Sequence, residues 1–285
     1  MRTIIALVVI AIAARAAHGD GVYLGIDGRG LTYFDGKVLT PLKGAPKYVD
    51  GVVENPSHDV FFVGTLKAYR LDHGVITELG LGIAQHVHAA SDGTFWIGNQ
   101  KQVQWYGQTS GSLLLPKPGI SDMAVDDFGR AWILDDDGVL SFTRGDGWTT
   151  FAPPGHDLKH CQLAARGDLY VACWQEVFRL RDNAWSSVMR LPKLAAHRVA
   201  VASDGTVYLD MWSAIAVVKP GAELIKLEVP NLITLFADAR GRMWVGTDDG
   251  LVVYDATGKR IALPKSLAGH DPVRAIFVEG AGPDL

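Results

Sequence analysis

One arrangement recurs seven times along this chain and constrains its fold more than any other feature. A short apolar strand runs into a Gly or Asp turn, then an aromatic residue followed by an apolar one and often Gly, then a polar turn and a second apolar strand. The anchoring aromatics are Tyr23, Phe62, Trp96, Trp132, Tyr170, Tyr208 and Trp244, separated by 39, 34, 36, 38, 38 and 36 residues. Each unit has room for four strands of ordinary length, and no segment shows the 3.6-residue apolar period of a helix over ten or more positions. A lone unit of this size cannot bury its own faces, so the units must stack on one another.

Four-stranded units at a period near ~40 residues predict an all-β, seven-bladed β-propeller, in which radial packing hides most strand edges. The chain ends fit a closed ring. The segment at 22 to 26 is an anchor strand lacking the inner strand that precedes every other anchor, and the segment at 272 to 279 is an inner strand with no anchor after it. The blades are therefore expected to close with the C-terminal inner strand joined to the N-terminal outer strands, a latch made by hydrogen bonds.

Residues 1 to 19 read as targeting sequence. Arg2 precedes an apolar run from Ile4 to Ala14, and small residues follow at Ala14, Ala16, Ala17 and Gly19, the pattern of a signal peptide cleaved after Ala16 or Gly19. The propeller is then expected over 20 to 285, periplasmic or secreted and without membrane insertion, since nothing downstream approaches an ~18-residue apolar span. The chain carries a net charge of −4 with no Lys/Arg cluster, which argues against a nucleic-acid partner.

The best copy of the repeat, ADARGRMWVGTDDGLVVYD at 237 to 255, resembles the two-component regulator propeller repeat, and weaker copies stand at 91 to 99 (SDGTFWIGN) and 126 to 134 (DDFGRAWIL). That family occurs in periplasmic sensor regions of hybrid histidine kinases and in free-standing exported proteins. The resemblance implies the propeller fold. It carries no signalling role with it, because this sequence has neither a kinase region nor a membrane helix.

In a propeller, blade-to-blade connections and the loops between second and third strands share one face around the channel mouth. Aligning the copies on their anchors places Asp50, His86, Asp122, His160, Arg198 and Thr234 at one level of the inner strand, with Arg274 near the seventh equivalent. Titratable side chains recurring there predict a polar girdle around a wet mouth, either as a ligand site or as solvated and mutually paired groups such as Asp122 with His160. His86, His88, His156, His160, His197 and His270 all fall in blade connections or first strands. His86 and His88 share one side of their strand and, with Asp122, make a candidate set for a divalent metal ion; a surface hydrogen bond is the plainer reading of each histidine.

Two indoles sit where the repeat offers small or polar residues, Trp174 in blade 5 and Trp212 in blade 6. They suit stacking on a glycan or aromatic ligand or anchoring a protein contact, or they cap the blade interface. The run Asp135, Asp136 and Asp137 reads as a solvated turn, being too short to guarantee the oxygens of a calcium loop.

No nucleophile elbow, phosphate-binding loop or HExxH is present. The primary expectation is a non-catalytic propeller that binds a small molecule, glycan or protein at its mouth through His86, His88, Asp122, His160, Trp174, His197, Arg198 and Trp212. The alternatives are a metal-assisted lyase or hydrolase, with His160 or His197 as general base, and a structural protein-interaction module. The enzyme alternative rests on similarity of architecture to the virginiamycin B lyase family, whose repeat wording is not found here. The two cysteines, Cys161 and Cys173, flank a turn at Arg166 and Gly167. A hairpin symmetric about residue 167 puts them opposite each other; a two-residue turn at 166 and 167 turns them to different faces.

Overall fold

The computed structural model describes residues 20–152, 158–159, 161–173, 176–190, 198–211, 214–219, 224–269 and 271–285. It is a ring of seven four-stranded antiparallel blades. Written from the innermost strand outward, blade 1 is Val273–Val278, Val22–Ile26, Gly30–Phe34 and Leu39–Pro41. Blades 2 to 4 begin at the inner strands Gly51–Glu54, His86–Ala89 and Asp122–Val125, and blades 5 to 7 at Gln162–Arg166, Arg198–Val201 and Leu232–Ala237. The described residues contain no helix, and none long and apolar enough to cross a membrane. The expected closure is present: Tyr23 pairs with Phe277 and Val22 with Val278. Residues 1 to 19 lie outside the described residues.

All seven anchors occupy second strands, and none is more than 4% exposed. Each anchor plugs the space between its own blade and a neighbour, so the core consists of seven clusters between blades and has no single centre. The Gly that so often follows the anchor has a steric cause. A Cβ on Gly25 would stand 2.5 Å from the carbonyl oxygen of Val49, and one on Gly246 2.2 Å from that of Val273, so the next blade's incoming chain needs the missing side chain.

The turns at the opposite opening, here called the base, explain the Asp and Arg of the repeat. In blade 7, Asp238 Oδ1 accepts from the amides of Arg240 and Arg242, while Oδ2 accepts from Arg242 Nε at 2.6 Å and Trp244 Nε1 at 2.8 Å. Blade 4 repeats the arrangement with Asp126, Arg130 and Trp132. One buried carboxylate thereby satisfies a turn, a guanidinium and an indole at once, which compensates its removal from water. Blade 3 has Ala90 and Thr94 at these positions, and Trp96 Nε1 is buried without a partner.

Blade 1 makes the same turn without a continuous chain. The Glu279 amide donates to Gly21 O at 3.0 Å, as the Asp238 amide does to Arg242 O, and Glu279 stands in for the aspartate. Its Oε2 accepts from Tyr33 Oη at 2.8 Å and the Gly21 amide at 3.3 Å. Gly21 occupies the position that arginine holds in blades 4 and 7, so no guanidinium from this position neutralises the carboxyl. Burial, the first cause, and the nearby Glu54 push its pKa up to about 7.

Blade 5 departs from the pattern. Its first turn is two residues shorter than that of blade 4, for Ala164 pairs with Tyr170 where Ala124 pairs with Trp132. The hairpin centres on Gly167, whose φ of +71° suits a residue without Cβ. This is the symmetric register, and Cys161 and Cys173 form a disulfide with Cα atoms 4.3 Å apart. Arg166, at the tip of the inner strand, reaches past blade 6 to donate to Ala237 O at 3.3 Å across the base.

Candidate functional site at the channel mouth

The first residues of the inner strands surround one opening, and hydrogen bonds there run from blade to blade. Asp122 Oδ1 accepts from its neighbour's amide, Met123, at 2.8 Å, and Oδ2 accepts from the Leu163 amide of blade 5 at 2.6 Å. His86 Nδ1 of blade 3 stands 3.9 Å from Asp122 Oδ1. Arg198 lies close enough to favour the charged form of Asp122, and its Nη1 reaches Asp210 Oδ2 and the Leu232 carbonyl of blade 7, each at 3.4 Å. On the other side of the ring Arg274 hydrogen-bonds Asp27 and acts electrostatically on Asp50.

Burial decides the protonation states. It raises the Asp122 pKa to about 7 despite two amide donors and Arg198, all of which work in the opposite sense. It lowers His86 to about 4; His88 falls to about 3, through burial first and repulsion from His86 second. The 3.9 Å contact is therefore no imidazolium–carboxylate bridge: it exceeds hydrogen-bond range, and both groups move toward neutrality. At pH 7 both imidazoles are neutral, each with one donor and one acceptor nitrogen, and Asp122 is divided between carboxyl and carboxylate.

The structure thus brings His86, Asp122 and Arg198 to one stretch of rim, with His88 deeper on the same strand. Of the other residues singled out from sequence, His160, Trp174, His197 and Trp212 lie outside the described residues. Among the described residues no three His, Cys, Asp or Glu side chains stand close enough together to hold a metal ion, His86, His88 and Asp122 included. The aspartate run is a structured turn: Asp135 Oδ1 accepts from the amides of Asp137 and Val139, Asp136 from Ser121 Oγ, and Asp137 pairs with Lys117.

Sequence reasoning missed Asp210, which ends the second strand of blade 6 directly across from Arg198. Its signal was available, because Asp210 takes the place of the Gly that follows the anchor two residues later in blades 1, 2, 3 and 7. Sequence reasoning also missed Gln85, just ahead of the inner strand of blade 3, and Gln100, in the loop after its second strand, whose side chains hydrogen-bond each other at 3.1 Å.

No family model matches the chain, and no curated protein matches it. Solved structures do. A catalytically inactive virginiamycin B lyase from Staphylococcus aureus with quinupristin is 13% identical, with a TM-score of 0.64 over 81% of this chain and 93% of that one. The likeness is one of fold. The extracellular domain of a one-component system protein from B. thetaiotaomicron is 13% identical over 84% of this chain, with a TM-score of 0.61. PorZ, a surface component of the type-IX secretion system of Porphyromonas gingivalis, is 12% identical over 88%, with a TM-score of 0.63. This chain spans 38% and 40% of those two proteins. The propeller is thus shared by a lyase, a sensor region and a secretion component, and the last two are extracellular or surface proteins.

Proposed function

We propose that this protein is an exported propeller, related to the two-component regulator repeats, that binds a small polar molecule, a glycan or a protein segment at its channel mouth without transforming it. The observation that carries the reading is the rim formed by His86, Asp122 and Arg198: three different blades deliver a neutral imidazole, a carboxyl near its midpoint and a guanidinium to one stretch of the opening. Such a set offers donors, acceptors and one fixed positive charge, and an incoming polar group meets little repulsion from it. The signal-like residues 1 to 19 and the extracellular fold relatives support a periplasmic or secreted location.

A second reading, a lyase or hydrolase at the same mouth, is supported by one feature. Asp122, with a pKa of about 7, is tuned as a general base or acid for neutral pH. Thermal-shift measurement against a panel of glycans, amino acids and small acids, repeated on a His86→Ala/Asp122→Asn variant, tests the binding reading. A ligand whose shift disappears in the variant supports it. A panel without any shift, or a shift that survives in the variant, refutes it, and chemical conversion of a bound ligand would replace it with the second.

A further inference from the structure

The third-strand residue paired with the aromatic that faces the next blade is apolar or aromatic in five blades and arginine in two. Tyr23 pairs with Tyr33, Trp96 with Trp105, Trp132 with Phe142, Tyr208 with Val217 and Trp244 with Val253, while in blade 2 Phe61, which faces blade 3 as the other anchors face their following blade, pairs with Arg70. Tyr170 pairs with Arg179. In blade 2 Arg70 meets two acids, Asp59 at 2.8 Å and Asp72 at 3.8 Å, and in five other blades the position adds apolar bulk beside the anchor, as the rings of Trp132 and Phe142 show, with centroids 4.7 Å apart. In blade 5 a guanidinium stands there instead.

Two neighbouring positions change with it. Two residues before the anchor, where blades 4 and 7 carry Arg130 and Arg242, blade 5 carries Asp168. Two residues beyond Arg179, Arg181 also turns to Asp168. Asp168 Oδ2 accepts from Arg179 Nε at 2.6 Å and Arg181 Nη2 at 2.8 Å, and Oδ1 from Arg181 Nε at 2.9 Å. Among the described residues Asp168 is the only acid to which either arginine hydrogen-bonds. Two guanidiniums share one carboxylate, which leaves a surplus positive charge and several N–H donors that hydrogen-bond to no acceptor among the described residues. Arg179 is 29% exposed and Arg181 61%, so those donors remain accessible.

The space beside them is open. A groove of about 670 Å³ lies between blades 5 and 6 at the base, on the face opposite the mouth. This is the size of a small-molecule site, within the usual range of roughly 300–1,000 Å³. Arg166 and Lys219 also line it, with Arg166 Nη1 donating to Ala237 O and Lys219 Nζ to Ala256 O, and the lining acids are Asp168 and Asp204. Tyr170, Val188, Met189 and Val218 supply apolar wall.

We propose that this groove is a second binding site, specific for a small organic oxyanion, either a carboxylate or a phosphate ester, gripped by Arg179 and Arg181 with its carbon body against Tyr170 and Met189. Planar guanidiniums match two-oxygen groups, which favours such anions over halide or a neutral sugar. The site does not depend on the mouth.

Isothermal titration of the exported chain at low ionic strength tests it, using glucuronate, citrate and glucose 6-phosphate as probes, inorganic phosphate as a bare anion and glucose as a neutral control. At least one organic anion should bind at concentrations below about 10 mM, while glucose should not. Arg181→Gln retains the Arg179–Asp168 pair and with it the fold, and should weaken binding by about tenfold, one charge-assisted contact. Asp168→Asn releases both guanidiniums and should tighten binding severalfold. The His86→Ala/Asp122→Asn variant should bind the anion as wild type does, which separates this site from the mouth. Binding unaffected by Arg181→Gln, weakened by Asp168→Asn, equal for glucose, or absent for every anion overturns the proposal. Preference for glucuronate and citrate identifies a carboxylate site, and preference for glucose 6-phosphate a phosphate-ester site.

Discussion

Replacing Glu279 with glutamine should make the ring latch insensitive to pH. In the folded protein Glu279 is surrounded by Tyr23, Tyr33 and Glu54, the last also in contact with His58, and no guanidinium faces it. Its pKa rises from 4.5 to about 7, so between those values the folded state holds a proton that the unfolded state has released. Stability from this group is therefore complete below about pH 4.5 and declines until about pH 7. At 1.36 kcal/mol per pKa unit, the loss amounts to about 3 kcal/mol, or on the order of 5 to 10 °C in melting temperature for a domain of this size. The glutamine side chain keeps an oxygen for Tyr33 Oη and the Gly21 amide and has no charge to bury. Melting curves from pH 4.5 to 8.5 should show variant and wild type together at the acid end and the variant more stable at the alkaline end. Parallel curves over the whole range would refute the argument that an unneutralised carboxyl sits at the junction of the chain ends.

Other perturbations have equally definite outcomes. Asp238→Ala strips the carboxylate from a buried guanidinium, leaving it only the Pro283 and Ala281 carbonyls, and removes the acceptor of the Trp244 indole, so denaturant titration should show a loss of about 3 to 5 kcal/mol. The double variant Ala90→Asp/Thr94→Arg supplies blade 3 with the partners that Trp96 Nε1 lacks and should raise the melting temperature; a fall would show that the site cannot accommodate them. Thiol titration of denatured, unreduced protein should find no reactive cysteine, and Cys161→Ser/Cys173→Ser should cost roughly 2 to 3 kcal/mol in a denaturant series. Asp122→Asn should remove a decline in stability between about pH 4 and 7, because that carboxyl also holds its proton longer in the folded state than in the unfolded one.

The blade count, six of the anchors and the ring closure were legible because each depends on a local pattern repeated around the ring, a large aromatic at a fixed register, whereas in blade 2 that register belongs to Phe61, and Phe62, chosen by spacing, faces blade 1. The level of His86, Asp122 and Arg198 was legible for the same reason. Their protonation was not, since burial is a collective property of three adjoining blades and leaves no mark on any one of them. The cysteine pairing turned on a single residue of hairpin register, which spacing alone left open. Arg179 stood in plain view, but its place emerges only once strand pairing sets it with Arg70 against Tyr33, Trp105, Phe142, Val217 and Val253. The Asp–Arg–Trp turn was present in the repeat wording at 126 to 132 and 238 to 244, though its division of labour among two oxygens required coordinates.

The pairing of Val22–Ile26 with Val273–Val278 also dictates an order of events during biosynthesis. Six blades can be completed from contiguous chain, but the strand bearing Tyr23 must wait, its inner edge bare, until some 250 further residues have emerged. For that interval the nascent protein presents an adhesive ribbon to its surroundings, the kind of surface that invites mispairing or capture by a chaperone. Annealing of the two extremities is then the last step, and everything built around the central opening acquires its final geometry only at that moment.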